Sequence, residues 1–164
     1  MRISIVNEQD EIIGHEDRND RNLDAIYHVS SLWITNGKGE ILLARRALDK
    51  SHDPGKWGLA VAGTIEEGET YESNILKEAK EELGLKNIHP RLGTKTRSNG
   101  KWNYFTQEFL LTLPDGFNDF KIAGQEVAEV KWFEVGELKK MIKENPDMFL
   151  NGVKRRMENY DFKS

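Results

Sequence analysis

Between Thr70 and Gly84 the chain carries one helix with both of its ends, and that helix limits the folds that can surround it. Thr70 suits the N-cap, because its hydroxyl can accept from a first-turn N–H that has no partner within the helix. Glu72 complements the positive end of the helix dipole, and Gly84 can take the left-handed conformation on which helices commonly stop. The sequence therefore predicts a helix over 71–83. Ile75, Leu76, Ala79 and Leu83 form one apolar stripe along it, and the other faces are mostly polar. A narrow stripe of this kind needs a flat apolar surface to lie on, which a β-sheet provides.

Strand-like runs flank the helix on both sides. Residues 2–6 alternate polar and apolar, and with Ile12 and Ile13 they predict a short N-terminal hairpin; 14–22 reads as a polar connecting loop. Residues 26–35 and 40–47 are apolar runs around Asn36-Gly37, a strong turn signal. Asp53-Pro54-Gly55 forms a second turn, and 58–63 reads as a strand ending at Gly63. Past the helix, two runs in 91–113 flank another Asn-Gly turn, and 127–135 reads as a strand. A short helix with Leu138, Met141 and Ile142 on one side is expected over 136–144. A terminal helix is expected over 146–160, with Pro146 in its first turn. The 164 residues show no repeat or linker, so a single α/β domain with a mixed sheet is expected over 1–164: hairpin and loop in 1–25, sheet and main helix in 26–135, C-terminal helices in 136–164.

Composition removes several kinds of chemistry. The chain has no cysteine, which excludes disulfides, cysteine-ligated metals and thiol nucleophiles. No apolar run approaches the roughly 20 residues that span a bilayer, and the N-terminus turns acidic where a signal peptide needs an apolar core. The expectation is a cytoplasmic protein without a membrane partner. A net charge of −4 offers no general field for a nucleic-acid backbone, so no nucleic-acid partner is expected either. The N-terminal hairpin and the terminal helix are the two surfaces on which a homodimer could form.

The polar side of the helix is where chemistry concentrates. Glu78 and Glu82 lie one turn apart with Glu81 beside them. Carboxylates so placed repel by about 0.2–0.5 kcal/mol per exposed pair, and by more in a cleft. A divalent cation reverses that sign, and hard oxygen ligands suit Mg²⁺ or Mn²⁺. Taken by itself, KEAKEEL is equally at home on a solvated helix face.

Spacing separates the two readings. Gly63, five residues, Glu69, seven residues, Lys77-Glu78-Ala79, one residue, Glu81-Glu82, one residue, then Gly84-Leu85 resembles the Nudix box, G-x5-E-x7-R-E-U-x-E-E-x-G-U with U a bulky aliphatic residue. Lys77 stands in place of the family's Arg, and Ala79 is smaller than the usual aliphatic. The runs LLARRA, PGKW and EVAEVKWFEV also resemble strands that flank the box in Nudix proteins. The resemblance implies a Nudix-type α/β/α sandwich with a mixed β-sheet, here with an added N-terminal β-hairpin. It also implies a Mg²⁺- or Mn²⁺-dependent hydrolase that cleaves a diphosphate linkage in a small-molecule substrate.

Carried across by position, the resemblance makes Glu78 and Glu82 the principal metal ligands, Glu81 a ligand or base, and the Gly63 carbonyl a further ligand. Glu69 would orient the loop through the residue at 77, where Lys keeps the charge but not the planar fork of Arg. Weakened positioning without loss of catalysis is the expected result. The proton acceptor would be Glu81, Glu82 or Glu126, the last in a loop before a strand. Arg45, Arg46, Lys56 and Trp57 are the substrate-binding candidates, although adjacent strand residues face opposite ways and a tryptophan such as Trp57 more often belongs to the core. His28 and His52 are lone histidines, a pattern more often structural.

Two other functions share this fold. The stretch 30–57 also resembles isopentenyl-diphosphate isomerases, which place a cysteine just before the box glycine and a metal-binding histidine just after it. Ala62 and Thr64 occupy those positions here, so the acid of that reaction is missing. A Nudix-like sensor that binds a nucleotide without turnover is the other alternative, and the intact Glu78, Glu81 and Glu82 argue against it.

Overall fold

The structure is a computed structural model that describes residues 1–160; residues 161–164, the end of the expected C-terminal segment, lie outside the described residues. In chain order the elements are β1 (Arg2–Val6), β2 (Ile12–Asp17), β3 (Ile26–Asn36), β4 (Ile41–Arg46), β5 (Trp57–Leu59) and β6 (Val61–Thr64). They continue with α1 (Tyr71–Leu83), β7 (Arg91–Asn99), β8 (Asn103–Leu113), β9 (Val127–Phe133), α2 (Val135–Glu144) and α3 (Asn151–Glu158).

β3 is the axis of a nine-stranded mixed sheet. Along one edge it runs parallel to β8 over its whole length, from Ile26 opposite Asn103 to Asn36 opposite Leu113. Its other edge is shared in succession by β1, β6 and β4, all antiparallel. Paired on both edges, β3 is buried along most of its length, with the polar His28, Ser30 and Ser31 set among its apolar and aromatic residues. The Asn36-Gly37 turn does join β3 to β4, but only Ile34 and Thr35 pair across it. β6 occupies β3 from Val29 to Leu32, so β4 moves on to pair with β5 and β9.

The two faces of the sheet carry separate cores. Ile75, Ala79 and Leu83 of α1 pack on Leu32, Ile34, Val61, Phe109 and Leu111. On the opposite face Leu138 of α2 and Val153 and Met157 of α3 pack with Trp33, Leu43, Trp57 and Phe133. The architecture is the expected α/β/α sandwich with an added hairpin.

Three segments depart from the sequence reading. Residues 14–17, expected in a loop, extend β2 because they complete the ladder against Arg2–Ile5. An edge strand can be polar on both sides, so no alternation marks it. The expected single strand over 58–63 is two strands separated by the buried Ala60, β5 on β4 and β6 on β3. The expected terminal helix over 146–160 is a 3-10 turn at Pro146–Met148 followed by α3. Between them Phe149 enters the second core, and the Leu150 N–H donates to the Trp57 carbonyl at 2.8 Å, which holds the chain extended.

The N-terminal hairpin is anchored at its tip. Asp10, at φ 60, accepts hydrogen bonds from the Tyr71 hydroxyl and the Lys95 ammonium, both at 2.6 Å. His28 lies 3.3 Å from the same carboxylate. Burial pushes His28 below its ordinary range against the pull of Asp10, so it stays neutral inside this cluster.

Candidate active site

β6 delivers the chain to Gly63, a loop follows, and α1 begins at a capping box. The Ser73 N–H donates to Thr70 Oγ1 at 3.1 Å, and the Thr70 N–H donates to Ser73 Oγ at 2.9 Å. The loop is pinned from behind: the Ile65 N–H donates to the His28 carbonyl at 3.0 Å, and the Glu67 N–H to the Arg2 carbonyl at 2.9 Å.

Lys77 is the centre of the loop's charge network. Its ammonium lies 2.6 Å from Glu66 and 2.8 Å from Glu69, with Glu78 at 3.7 Å. Partial burial works against its charge, but the two nearer carboxylates outweigh that and raise Lys77 well above the usual lysine range. Partial burial likewise opposes the charge on Glu69, and Lys77, the Glu66 N–H and the Asn74 amide together hold it below the usual carboxylate range. Lys77 thus grips two loop carboxylates as a point charge where a guanidinium would form a planar fork with one. Lys77→Met leaves two partly buried glutamates without their cation, Glu69 keeping only the Glu66 N–H and the Asn74 amide, and is expected to cost about 2–3 kcal/mol. Lys77→Arg is expected to keep most of that stability; equal melting temperatures for Lys77→Met and the unaltered protein would refute this role.

Asn74 is a positioning residue that sequence reasoning missed. It is fully buried on the sheet side of α1, accepts from the Ser30 hydroxyl, and donates to the Thr64 carbonyl and Glu69 Oε1, each at 3.1 Å. A polar residue beside the apolar stripe, four residues before Glu78, was the available signal. Gly63 faces the same crowd: a Cβ there would stand 2.6 Å from Glu78 Cγ and 2.8 Å from Asn74 Oδ1.

Glu78 and Glu82 lie together on the side of α1 next to this glycine and are close enough to share a proton. Burial, then the neighbouring Glu78 and Glu126, push Glu82 up to about 8. Burial also raises Glu78, helped by Glu81 and Glu69 and opposed by its contact with Glu82 and by Lys77. Glu81 is exposed on the neighbouring edge. Glu126 is brought against Glu82 by backbone bonds, the Ala123 N–H to the Glu82 carbonyl and the Glu126 N–H to the Ala123 carbonyl, both 2.9 Å. Its carboxylate contacts the Lys50 ammonium, a residue the sequence did not single out.

Among the described residues no three His, Asp or Glu side chains form a ready-made metal cage. The donor set nevertheless fits Mg²⁺ or Mn²⁺, which take one or two carboxylates and complete their shell with other oxygens. Two partly buried carboxylates in contact, both raised above the usual carboxylate range, gain most from a cation between them.

Gly63 and Thr64 also line a cleft of about 1200 Å³ on the sheet face opposite α1. Arg45, Arg46, Lys56 and Trp57 are not among its walls. Arg45 Nε donates to the Gly55 carbonyl and Arg46 Nε to the His52 carbonyl, each at 3.0 Å, so both brace the loop between β4 and β5. Lys56 pairs with Asp53 at 3.4 Å. Trp57 is buried, with its ring edge-on to Phe133 at a centroid distance of 5.1 Å. The cleft's cations are instead Arg18, Arg21, Arg97, Arg155 and Arg156.

Comparison with known proteins gives the family and the fold. A profile of the NUDIX domain matches residues 27–151. A Nudix hydrolase of Deinococcus radiodurans is 35% identical over 85 residues, 51% of this chain and 50% of that protein. An uncharacterised Nudix hydrolase of Yersinia pestis is 28% identical over 142 residues, 83% of this chain and 74% of the other. An isopentenyl-diphosphate Delta-isomerase of Klebsiella pneumoniae is 34% identical over 95 residues, 54% of this chain and 52% of the enzyme. The match thus spans about half the length of the Deinococcus and Klebsiella relatives. In fold, a crystal structure of a Deinococcus radiodurans protein superimposes with a TM-score of 0.83 at 22% identity, over 96% of this chain and 98% of that one. A C. elegans Ap4A hydrolase does so with a TM-score of 0.57 at 18% identity, over 80% and 94%.

Proposed function

This chain belongs to the Nudix family, and from that premise we propose that it is a divalent-metal-dependent hydrolase of a diphosphate linkage in a nucleoside diphosphate derivative or a related small molecule. The observation that supports this most is the half-buried Glu78–Glu82 pair beneath Gly63, with Glu126 against it and Lys77 locking the loop. Glu78 and Glu82 would hold the ion, with the Gly63 carbonyl as a further donor. Bound there, Mg²⁺ or Mn²⁺ supplies neutralisation of the phosphoryl charge and an acidified water.

The chain's own residues do the rest. Lys77, Glu69 and Asn74 fix the loop so that Gly63 stays close against Glu78. Glu81, Glu82 or Glu126 takes the proton from the attacking water; Glu126 is held for that role by Lys50, whose ammonium also offsets negative charge next to Glu82. Gly63 and Thr64 open onto the cleft, which receives the rest of the substrate.

The isomerase reading, raised again by the Klebsiella relative, still lacks its acid. Ala62 is exposed in the cleft beside Gly63, and the chain contains no cysteine. The test is phosphate or nucleotide release with Mg²⁺ or Mn²⁺ from nucleoside di- and triphosphates, dinucleotides, nucleotide sugars and prenyl diphosphates. Metal-dependent hydrolysis of at least one is expected. No turnover of any substrate overturns the hydrolase, and allylic diphosphate formed from isopentenyl diphosphate would restore the isomerase.

A further inference from the structure

The cleft carries more positive charge than its carboxylates can balance. Arg156 is matched by Glu108 at 2.8 Å and Arg97 by Glu8 at 3.0 Å. Arg18, Arg21 and Arg155 have no carboxylate within 4.0 Å among the described residues. Arg21 is also held in place: its guanidinium carbon lies 4.6 Å from the Tyr27 ring centre and 4.5 Å from that of Trp102. Stacking between two rings fixes the plane of the fork, so little entropy is lost when it meets an oxyanion. Arg155 Nη2 lies 3.4 Å from the Tyr104 hydroxyl, and Tyr104 is the direct cross-strand neighbour of Tyr27. The Asn103 amide donates to the Leu23 carbonyl at 3.0 Å, tying the exit of the hairpin to this rung of the sheet.

All three residues lie outside the segment matched by the NUDIX profile, Arg18 and Arg21 before it and Arg155 after it. The Tyr27 rung is three residues along β3 from Ser30, which pairs with Gly63. At ~3.3 Å per strand residue this sets the rung on which Arg21 stacks about 10 Å from the box glycine. We propose that Arg18, Arg21 and Arg155 form a second anion subsite, apart from the carboxylates of the box, that selects substrates bearing a further phosphoryl group beyond the diphosphate they lose. Three guanidinium groups on the walls of one cleft match a phosphate dianion in charge, and each can offer it paired N–H donors. The subsite rests on the hydrolase reading for its meaning, but its binding is measured without turnover.

The test uses pairs of compounds with the same diphosphate that differ by one remote phosphate: NADPH against NADH, and coenzyme A against dephospho-coenzyme A. Binding is measured by calorimetry in EDTA, where hydrolysis does not contribute. The phosphorylated member of at least one pair is expected to bind 5- to 10-fold more tightly, or roughly one to one and a half kcal/mol. Arg18→Gln combined with Arg155→Gln, both at exposed positions, should reduce that ratio to within about twofold, and Arg21→Met should do the same. Glu82→Gln should leave the ratio unchanged. Equal binding within both pairs, no binding by any phosphorylated member, or a preference that survives the double variant overturns the subsite. A preference in EDTA, with no turnover of any substrate of the hydrolase panel in Mg²⁺ or Mn²⁺, would instead uphold the subsite and refute the hydrolase.

Discussion

Glu82→Gln is expected to lower metal-dependent turnover by about 10³-fold while making the metal-free protein more stable at alkaline pH. The two effects share one cause. Glu82 is partly buried against Glu78 and Glu126, and its carboxyl is pushed from 4.5 up to about 8. The folded state therefore holds a proton that the unfolded chain releases near pH 4.5, and stability falls as pH rises from there until Glu82 ionises near pH 8. Glutamine keeps the shape and removes the charge. After allowance for relaxation of a group that is not fully enclosed, the gain above about pH 8 is on the order of 2 kcal/mol, or roughly 4–8 °C in melting temperature. The gap should close near pH 5, where the native carboxyl is already protonated. His28, held neutral by burial, titrates with the opposite sign, but it is common to both proteins and cancels in the difference. Mg²⁺ should raise the melting temperature of the unaltered protein and leave the variant nearly unmoved. A pH-independent gap, or unchanged Mg²⁺-dependent turnover in the variant, would remove Glu82 from the centre.

How much of this was legible in the sequence depends on how local each cause is. The limits of α1 matched the expected 71–83 because its capping residues and Gly84 act within a few positions of the helix ends. The stripe of Ile75, Ala79 and Leu83 found its sheet because a period of 3.6 needs no knowledge of the partner. Where a distant partner decides, the reading failed. β2 continues to Asp17 only because β1 offers a ladder, and Phe149 interrupts the terminal helix because β5 and the second core draw it in.

The candidate site divides along the same line. The glutamates of the box are a sequence pattern, but Lys50 meets Glu126 across 76 positions, and no spacing rule announces that contact. Arg45 and Arg46 were singled out at the end of a strand, yet both side chains turn back to hold carbonyls of the following loop. Arg18, Arg21 and Arg155 reach the cleft from either end of the chain, where local reading finds only polar loop and helix surface.

Gly63→Ala is expected to damage the site out of proportion to the single methyl it adds. Gly63 is not among the glycines with positive φ, so alanine suits its backbone, and the constraint is proximity alone. The new Cβ would stand 2.6 Å from Glu78 Cγ, 2.8 Å from Asn74 Oδ1 and 3.0 Å from Glu78 Cδ. Asn74 cannot retreat, since it is buried and bonded to Ser30, Thr64 and Glu69. Glu78 is the freer of the two and must therefore swing away from the strand, taking its carboxylate from Glu82. Overpacking of this kind costs about 1–3 kcal/mol, and a ligand displaced by about 1 Å costs on the order of 10²-fold in turnover. The loss should fall on kcat more than KM, because the cleft that receives the rest of the substrate lies on the other face of the strand. Gly14→Ala is the matched control, with nothing within 4 Å of its would-be Cβ, and should stay within about 0.5 kcal/mol of the unaltered protein. If Gly63→Ala is as active and as stable as that control, Glu78 is not held by close approach to the strand, and the positioning of the carboxylate pair must come from α1 alone.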